Sequence, residues 1–128
     1  MLIVIDTNVL VSALWSKNSN PAKLLHLVFE GTLKPCYDYR ILEEYWEVLK
    51  RPKFKFSESD IQNLLEGIKS MGMSVIAEPI SARFEDEEDK KFYEVAKFCN
   101  AKLITGNLKH FPKDNYIMSV SEFLESLN

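Results

Sequence analysis

Cysteine and histidine are scarce in this chain, with two of each among 128 residues. Cys36 and Cys99 are far apart in sequence, match no CxxC spacing and sit in apolar surroundings. Two reduced, structural thiols are therefore expected, and not a disulfide framework or a zinc site. No apolar run approaches the ~20 residues of a membrane span. Met1 leads directly into a strand-like run with no basic region or cleavage site, so no signal peptide is expected and the protein reads as cytoplasmic. Excess positive charge is missing as well. The net charge of −3 excludes a generic nucleic-acid coat, but not an enzyme whose acids gather at a metal. Repeats, linkers and low-complexity stretches are absent, so residues 1–128 read as one domain.

The informative stretch comes first. In "LIVIDTNVLVSAL" (2–14), four apolar residues run unbroken into Asp6. An alternating run would suit a strand with one wet face, whereas an unbroken one suits a strand covered on both faces of a parallel sheet. Ligands of such sheets bind beyond the carboxyl ends of the strands, where Asp6 sits.

The rest of the chain alternates in the same way. Asn8 is expected to cap a short helix, and Asn20, Pro21 and Gly31 to cap, open and stop the next. "LKPCY" reads as a strand, 39–50 as a helix ended by Pro52, and Ser57 to Gly72 as another helix. "SVIA" reads as a third strand, roughly 86–99 as a helix, "AKLIT" and "YIMSV" as strands, and "SVSEFLESL" as a terminal helix. The expected fold class is α/β, a single-domain sandwich with a mostly parallel, five-stranded sheet and right-handed crossovers.

Helical phase decides which acids can meet Asp6. Ile41, Leu42, Tyr45, Val48 and Leu49 form one stripe; at about 100° per residue, Glu43 and Glu47 lie opposite it and Glu44 at its edge. Glu44 therefore points into a cleft or lies along a wet flank. Asp89 shares a face with Phe92, Ala96 and Cys99, where a carboxylate is costly unless paired or bound to a metal. Complementing the helix dipole is the plainer account of it, and capping that of Asp86. "LITGN" repeats the opening pattern, a strand ending in a polar turn with Thr105 and Asn107. Asp6, Glu44, Asp89 and Asn107 thus come from four elements that a sheet can bring to one edge. All are oxygen donors, and no histidine is expected among them, which favours Mg²⁺ or Mn²⁺ over Zn²⁺.

"VIDTNVLVSAL", "LEEYWEVLKRPKF", "DEEDKKFYEVA" and "AKLITGNLKHFP", in that order, resemble the PIN-domain ribonucleases. The likeness is to the prokaryotic VapC-like subgroup described as toxins of toxin–antitoxin pairs. It implies a PIN-like α/β/α sandwich and Mg²⁺- or Mn²⁺-dependent cleavage of RNA. It also implies catalytic residues Asp6, Glu44, Asp89 and Asn107, with the first three as metal ligands. Inhibition by a small antitoxin protein and homodimer formation are implied for toxin members. The family's fourth acid is Asn107 here, which removes a charge and puts a strict two-metal mechanism in doubt. Asp86 is a candidate outer acid, and Thr7, Asn8 and Thr105 are candidates to orient the carboxylates.

In the expected mechanism, Asp6, Asp89 and Glu44 hold the metal, a bound water is activated for in-line attack, and charge on the phosphate is stabilised. "KRPKFKF" offers Lys50, Arg51, Lys53 and Lys55 to an RNA backbone and Phe54 or Phe56 to a base; alternatively it is a solvated helix end with two core phenylalanines. Other readings fit less well. A haloacid-dehalogenase-type phosphatase wants an aspartate where Asn8 stands, and a receiver domain needs an acidic pair after its first strand. The alternative from another class is a catalytically weak or silent PIN-like module that binds RNA or protein.

Overall fold

The computed structural model describes residues 1–128 apart from 82, 83, 85 and 86. Five parallel strands form its sheet: β1 (Leu2–Ile5), β2 (Lys34–Tyr37), β3 (Met73–Ser74), β4 (Lys102–Ile104) and β5 (Ile117–Met118). Their order is β3-β2-β1-β4-β5. The helices are α1 (Thr7–Trp15), α2 (Asn20–Phe29), α3 (Tyr39–Leu49), α4 (Glu58–Met71), α5 (Lys90–Cys99) and α6 (Val120–Ser126). Successive side chains of a strand point to opposite faces. Ile3, Val4 and Ile5 are all fully buried, so helices cover both faces of β1. The expected α/β/α sandwich is what forms.

The chain builds outward from β1 through β2 to β3, then returns to place β4 on the other side of β1. The strand order reverses between β1 and β4, and that is where an open parallel sheet leaves a crevice. Register aligns Ile3 with Lys102 and Ile5 with Ile104. The carboxyl ends of the two strands therefore finish level.

Local differences from the sequence reading have physical causes. Ser19, and not Asn20, caps α2 by accepting from the Ala22 amide at 3.3 Å. Gly31 follows that helix at φ 88°, a left-handed turn that glycine makes without a Cβ penalty. The third strand covers Met73–Ser74 and not the whole of "SVIA": at this sheet edge β2 offers Cys36 and Tyr37 as partners, and the ladder ends with the Val75 amide on the Tyr37 carbonyl. The helix expected from about 86 begins as α5 at Lys90, after a 3-10 turn over Glu87–Asp89. Cys36 and Cys99 are free thiols. Burial pushes the Cys36 thiol up to about 12, and Cys99 beside it adds to the shift, so Cys36 stays protonated.

One buried polar network fixes α3 against α5. Asp38 caps α3 by accepting from the Ile41 amide at 3.0 Å. Arg40 spans Asp38 at 2.7 Å and Glu94 at 2.8 Å, and Glu94 also accepts from the Ile80 amide at 2.8 Å. Both carboxylates are buried, and such groups are tolerable only while paired. Arg40→Ala should lower unfolding free energy by about 2–3 kcal/mol, below the full cost of an orphaned buried pair because the arginine is one-third exposed. Urea denaturation measures this, and a loss under about 0.5 kcal/mol, typical of a surface pair, would show that the network is not structural.

Candidate active site at the β1–β4 crevice

Asp6 ends β1 and caps α1, accepting from the Thr7 amide at 2.8 Å. The capping role expected of Asn8 therefore belongs to Asp6. Asn8 sits inside the first turn, and its Oδ1 accepts from the Gly106 amide at 3.1 Å. A Cβ on residue 106 would stand 3.3 Å from that oxygen, so glycine lets the two loops approach. The Asp6 amide donates to the Ile104 carbonyl at 2.9 Å, which carries the β1–β4 ladder one step further. Thr105 thus lies beside Asp6 and donates its hydroxyl to Asp6 Oδ2 at 2.7 Å. The same hydroxyl accepts from the Asn107 amide at 2.9 Å.

Glu44 arrives from α3. The next residue, Tyr45, is fully buried and donates its hydroxyl to the Ile5 carbonyl at 2.5 Å, pinning α3 to the end of β1. Glu44 then accepts from the Thr7 hydroxyl and pairs with Lys91 Nζ at 2.7 Å. Lys91 is only 8% exposed and also meets Glu88 at 3.1 Å. Burial alone would lower its pKa; the bonds to Glu44 and Glu88 outweigh that and hold it above the ordinary lysine value. Glu43 and Glu47 are exposed, as their helical phase predicts. They border a larger groove of about 860 Å³ between α3 and α5, which meets the crevice at Glu44 and Asp89.

Asp89 stands at the start of α5, where the 3-10 turn gives way to helix. Here the expectation of a histidine-free cluster is corrected. His110 Nδ1 lies 2.9 Å from Asp89 Oδ2, and its Nε2 lies 3.0 Å from the Asn107 amide nitrogen. An ionised carboxylate only accepts, so Nδ1 is placed as the donor to Asp89, and Nε2 faces the Asn107 side-chain amide nitrogen. A 3-10 turn over Leu108–His110 folds the ring back toward Asn107. The spacing 107/110 was the only signal in the sequence, and it is meaningful only once a turn is known.

The crevice itself is an open cleft of about 380 Å³, whose lining includes Asp6, Asn8, Glu44, Asp89, Asn107 and His110. Burial pushes the Asp6 carboxyl up to about 6; the Thr105 and Thr7 hydrogen bonds oppose the shift, and the charges of Asp89 and Glu44 add to it. No three His, Cys, Asp or Glu side chains among the described residues close into a ready metal cage. The donor set nonetheless fits a hard, water-rich dication, which needs only one or two carboxylates from protein. Asp6 and Asp89 are the residues that could supply these. Glu44 is already held by Lys91 and Thr7, which suits contact through water.

The PIN-domain family profile matches residues 2–109, a span that takes in Asp6, Glu44, Asp89 and Asn107. The chain belongs to the PIN-domain family. It is also 37% identical over 111 residues to the uncharacterized protein MJ1680 of Methanocaldococcus jannaschii, covering 82% of this chain and 70% of that one. PIN domains are generally nucleases and typically use divalent metals. No described helix of this PIN domain is long and apolar enough to cross a membrane.

The remaining candidates fall in three places. Asp86 lies outside the described residues. Lys50 covers the Trp46 ring at 4.9 Å, and Arg51 pairs weakly with Glu47 at 4.0 Å and lines the larger groove beside the crevice. Lys53 lies 5.2 Å over Phe54, whose ring lines the cleft, and Lys55 is exposed two residues on.

The raised Asp6 pKa has a testable sign. The folded protein holds a proton that the unfolded chain releases, so stability from this group is present below about pH 4 and lost as pH rises through about 6. The full penalty is roughly 3 kcal/mol at neutral pH. Asp6→Asn removes the charge and weakens one of two hydrogen bonds, so in chelator at pH 7.5 it should be about 1–2 kcal/mol more stable than the parent. The gap should close by pH 4. Paired melts by circular dichroism measure it; a variant less stable at both pH values contradicts the electrostatic account.

Proposed function

We propose that this PIN domain, residues 1–128, is a divalent-metal-dependent endoribonuclease that hydrolyses RNA phosphodiester bonds. The supporting observation is the desolvated Asp6 carboxyl with its pKa raised to about 6 between the charges of Asp89 and Glu44. Three acids gathered at a strand end are unfavourable by themselves and favourable around a cation. In this reading Asp6 and Asp89 hold Mg²⁺ or Mn²⁺, with Glu44 acting through water. The bound ion supplies Lewis acidity, which eases deprotonation of water and offsets charge on the phosphate.

The chain's own residues do the rest. Thr105 and the Thr7 amide fix the two Asp6 oxygens. Lys91 and the Thr7 hydroxyl hold Glu44 in one rotamer, from which its carboxylate orients a water for in-line attack. His110 keeps Asp89 facing the crevice, and Asn107 fills the fourth corner as a neutral group. Asp86, outside the described residues, is proposed as an outer acid.

The biological setting belongs to the same proposal: a cytoplasmic toxin, homodimeric, and restrained by a small antitoxin protein. A gene for a small DNA-binding protein directly upstream would support it. The second reading, a weak or silent module that binds RNA or protein, is favoured by the amide at Asn107, which leaves one charge fewer for a second ion.

Incubation of purified protein with mixed RNAs separates the two. Cleavage is expected with Mn²⁺ or Mg²⁺, none in chelator, and a loss of at least about a hundredfold in rate for Asp6→Asn, comparable to removal of other charge-stabilising groups. Undiminished cleavage by the variant, or cleavage in chelator, would rule out the proposed site.

A further inference from the structure

Beside the crevice stands an aromatic cluster to which neither the sheet nor the acids assign a role. Phe54 and Phe56 stack with centroids 5.5 Å apart and planes at 12°. Trp15 meets both edge-on, at 6.3 Å and 6.0 Å, and is 62% exposed. Phe56 packs against the buried core and anchors the group. Phe54 is half-buried and lines the cleft that holds Asp6.

Two features argue that the rings are displayed and not merely left over. The stacked pair depends on a turn in which Lys55 adopts φ 56°, ψ 29°, a left-handed conformation that lysine takes at a cost. That turn folds Phe56 back onto Phe54. Helix α1 also connects the cluster to the acids. Thr7, Asn8, Val11 and Ser12 line the cleft, and Trp15 continues the same face. From Asn8 to Trp15 the helix rises about 10 Å, a distance a single strand bridges without leaving the surface.

Charge selects the occupant. Lys53, over the Phe54 ring, and the exposed Lys17 and Lys55 lie within two residues of these rings in sequence. A purely apolar partner would leave those cations unused, whereas a nucleic-acid strand presents phosphates to cations and π-faces to rings. Paired bases keep their faces inside the duplex and offer none.

We propose that Trp15, backed by the Phe54–Phe56 stack, is a base-stacking subsite that seats an unpaired nucleotide of a single strand leading into the acidic crevice. The proposal deepens the nuclease reading and rests on it for the direction of the strand. Phe54 and Phe56 brace the indole, while Lys53 and Lys55 face the backbone. Trp15 sets affinity and strand selectivity, and the hydrolytic groups set the chemical rate.

Tryptophan fluorescence tests it. The chain holds two tryptophans, so Trp46→Phe leaves Trp15 as the reporter. In chelator at low ionic strength, where no cleavage is expected, an unstructured oligouridylate should quench Trp15, and a blunt RNA duplex of equal length should not. By anisotropy of a dye-labelled oligouridylate, Trp15→Ala should bind the single strand roughly tenfold more weakly, the range of one lost stacking contact, and Trp15→Phe should recover most of it. With metal present, Trp15→Ala should raise KM for the oligonucleotide and leave kcat unchanged. Equal affinity of Trp15→Ala and parent, equal quenching by the duplex, or no binding overturns the subsite. So does a Trp15→Ala effect confined to self-association in sedimentation, which would mark a protein interface. Quenching by the single strand without cleavage in any metal would retain the subsite and discard the nuclease reading.

Discussion

The burial of one carboxylate organises this molecule. Asp6 ends a strand covered on both faces, is 6% exposed, and has its pKa lifted to about 6 by desolvation and by two neighbouring acids. Holding it ionised at neutral pH costs roughly 3 kcal/mol. Ile3, Val4 and Ile5 just before it each return about 2 kcal/mol or more on burial, so the strand tolerates the acid. That trade explains how a wholly apolar strand can end in a buried carboxylate.

The surrounding groups manage the same charge in different ways. The Thr7 amide and Thr105 hydroxyl stabilise the ionised form directly. Lys91, almost buried, draws Glu44 to itself and so reduces the repulsion on Asp6. His110 holds Asp89 in place at the cleft through a hydrogen bond. Among the described residues, the result is a set of acids at the cleft, each held by its own partner. A rigid frame keeps it so, with Tyr45 fixing α3 to β1 and Arg40 fixing α3 to α5.

The parts legible in the sequence were those with a period. Unbroken apolar runs marked β1 and β4, and helical phase separated Glu44 from Glu43 and Glu47. What escaped depended on irregular backbone or distant partners. His110 reaches Asp89 because of a 3-10 turn, which leaves no periodic trace. Nothing local sets Lys91 apart from Lys90 and Lys97 on α5 or reveals that Glu44 lies opposite. Arg40, Asp38 and Glu94 come from separate segments and meet only in three dimensions. The third strand stops short of its apolar run; hydrophobicity does not report where an edge strand runs out of partners.

In the proposed function the β1–β4 crevice takes a dication. Calorimetric titration of Mn²⁺ into the parent protein tests it most directly, at pH 7.5 and again at pH 5. Saturable binding is predicted at pH 7.5, where Asp6 is already ionised, and markedly weaker binding with proton release is predicted at pH 5, below its pKa of about 6, where the ion must displace the Asp6 proton. No heat of binding at pH 7.5, or an affinity that does not change between the two pH values, would contradict the account.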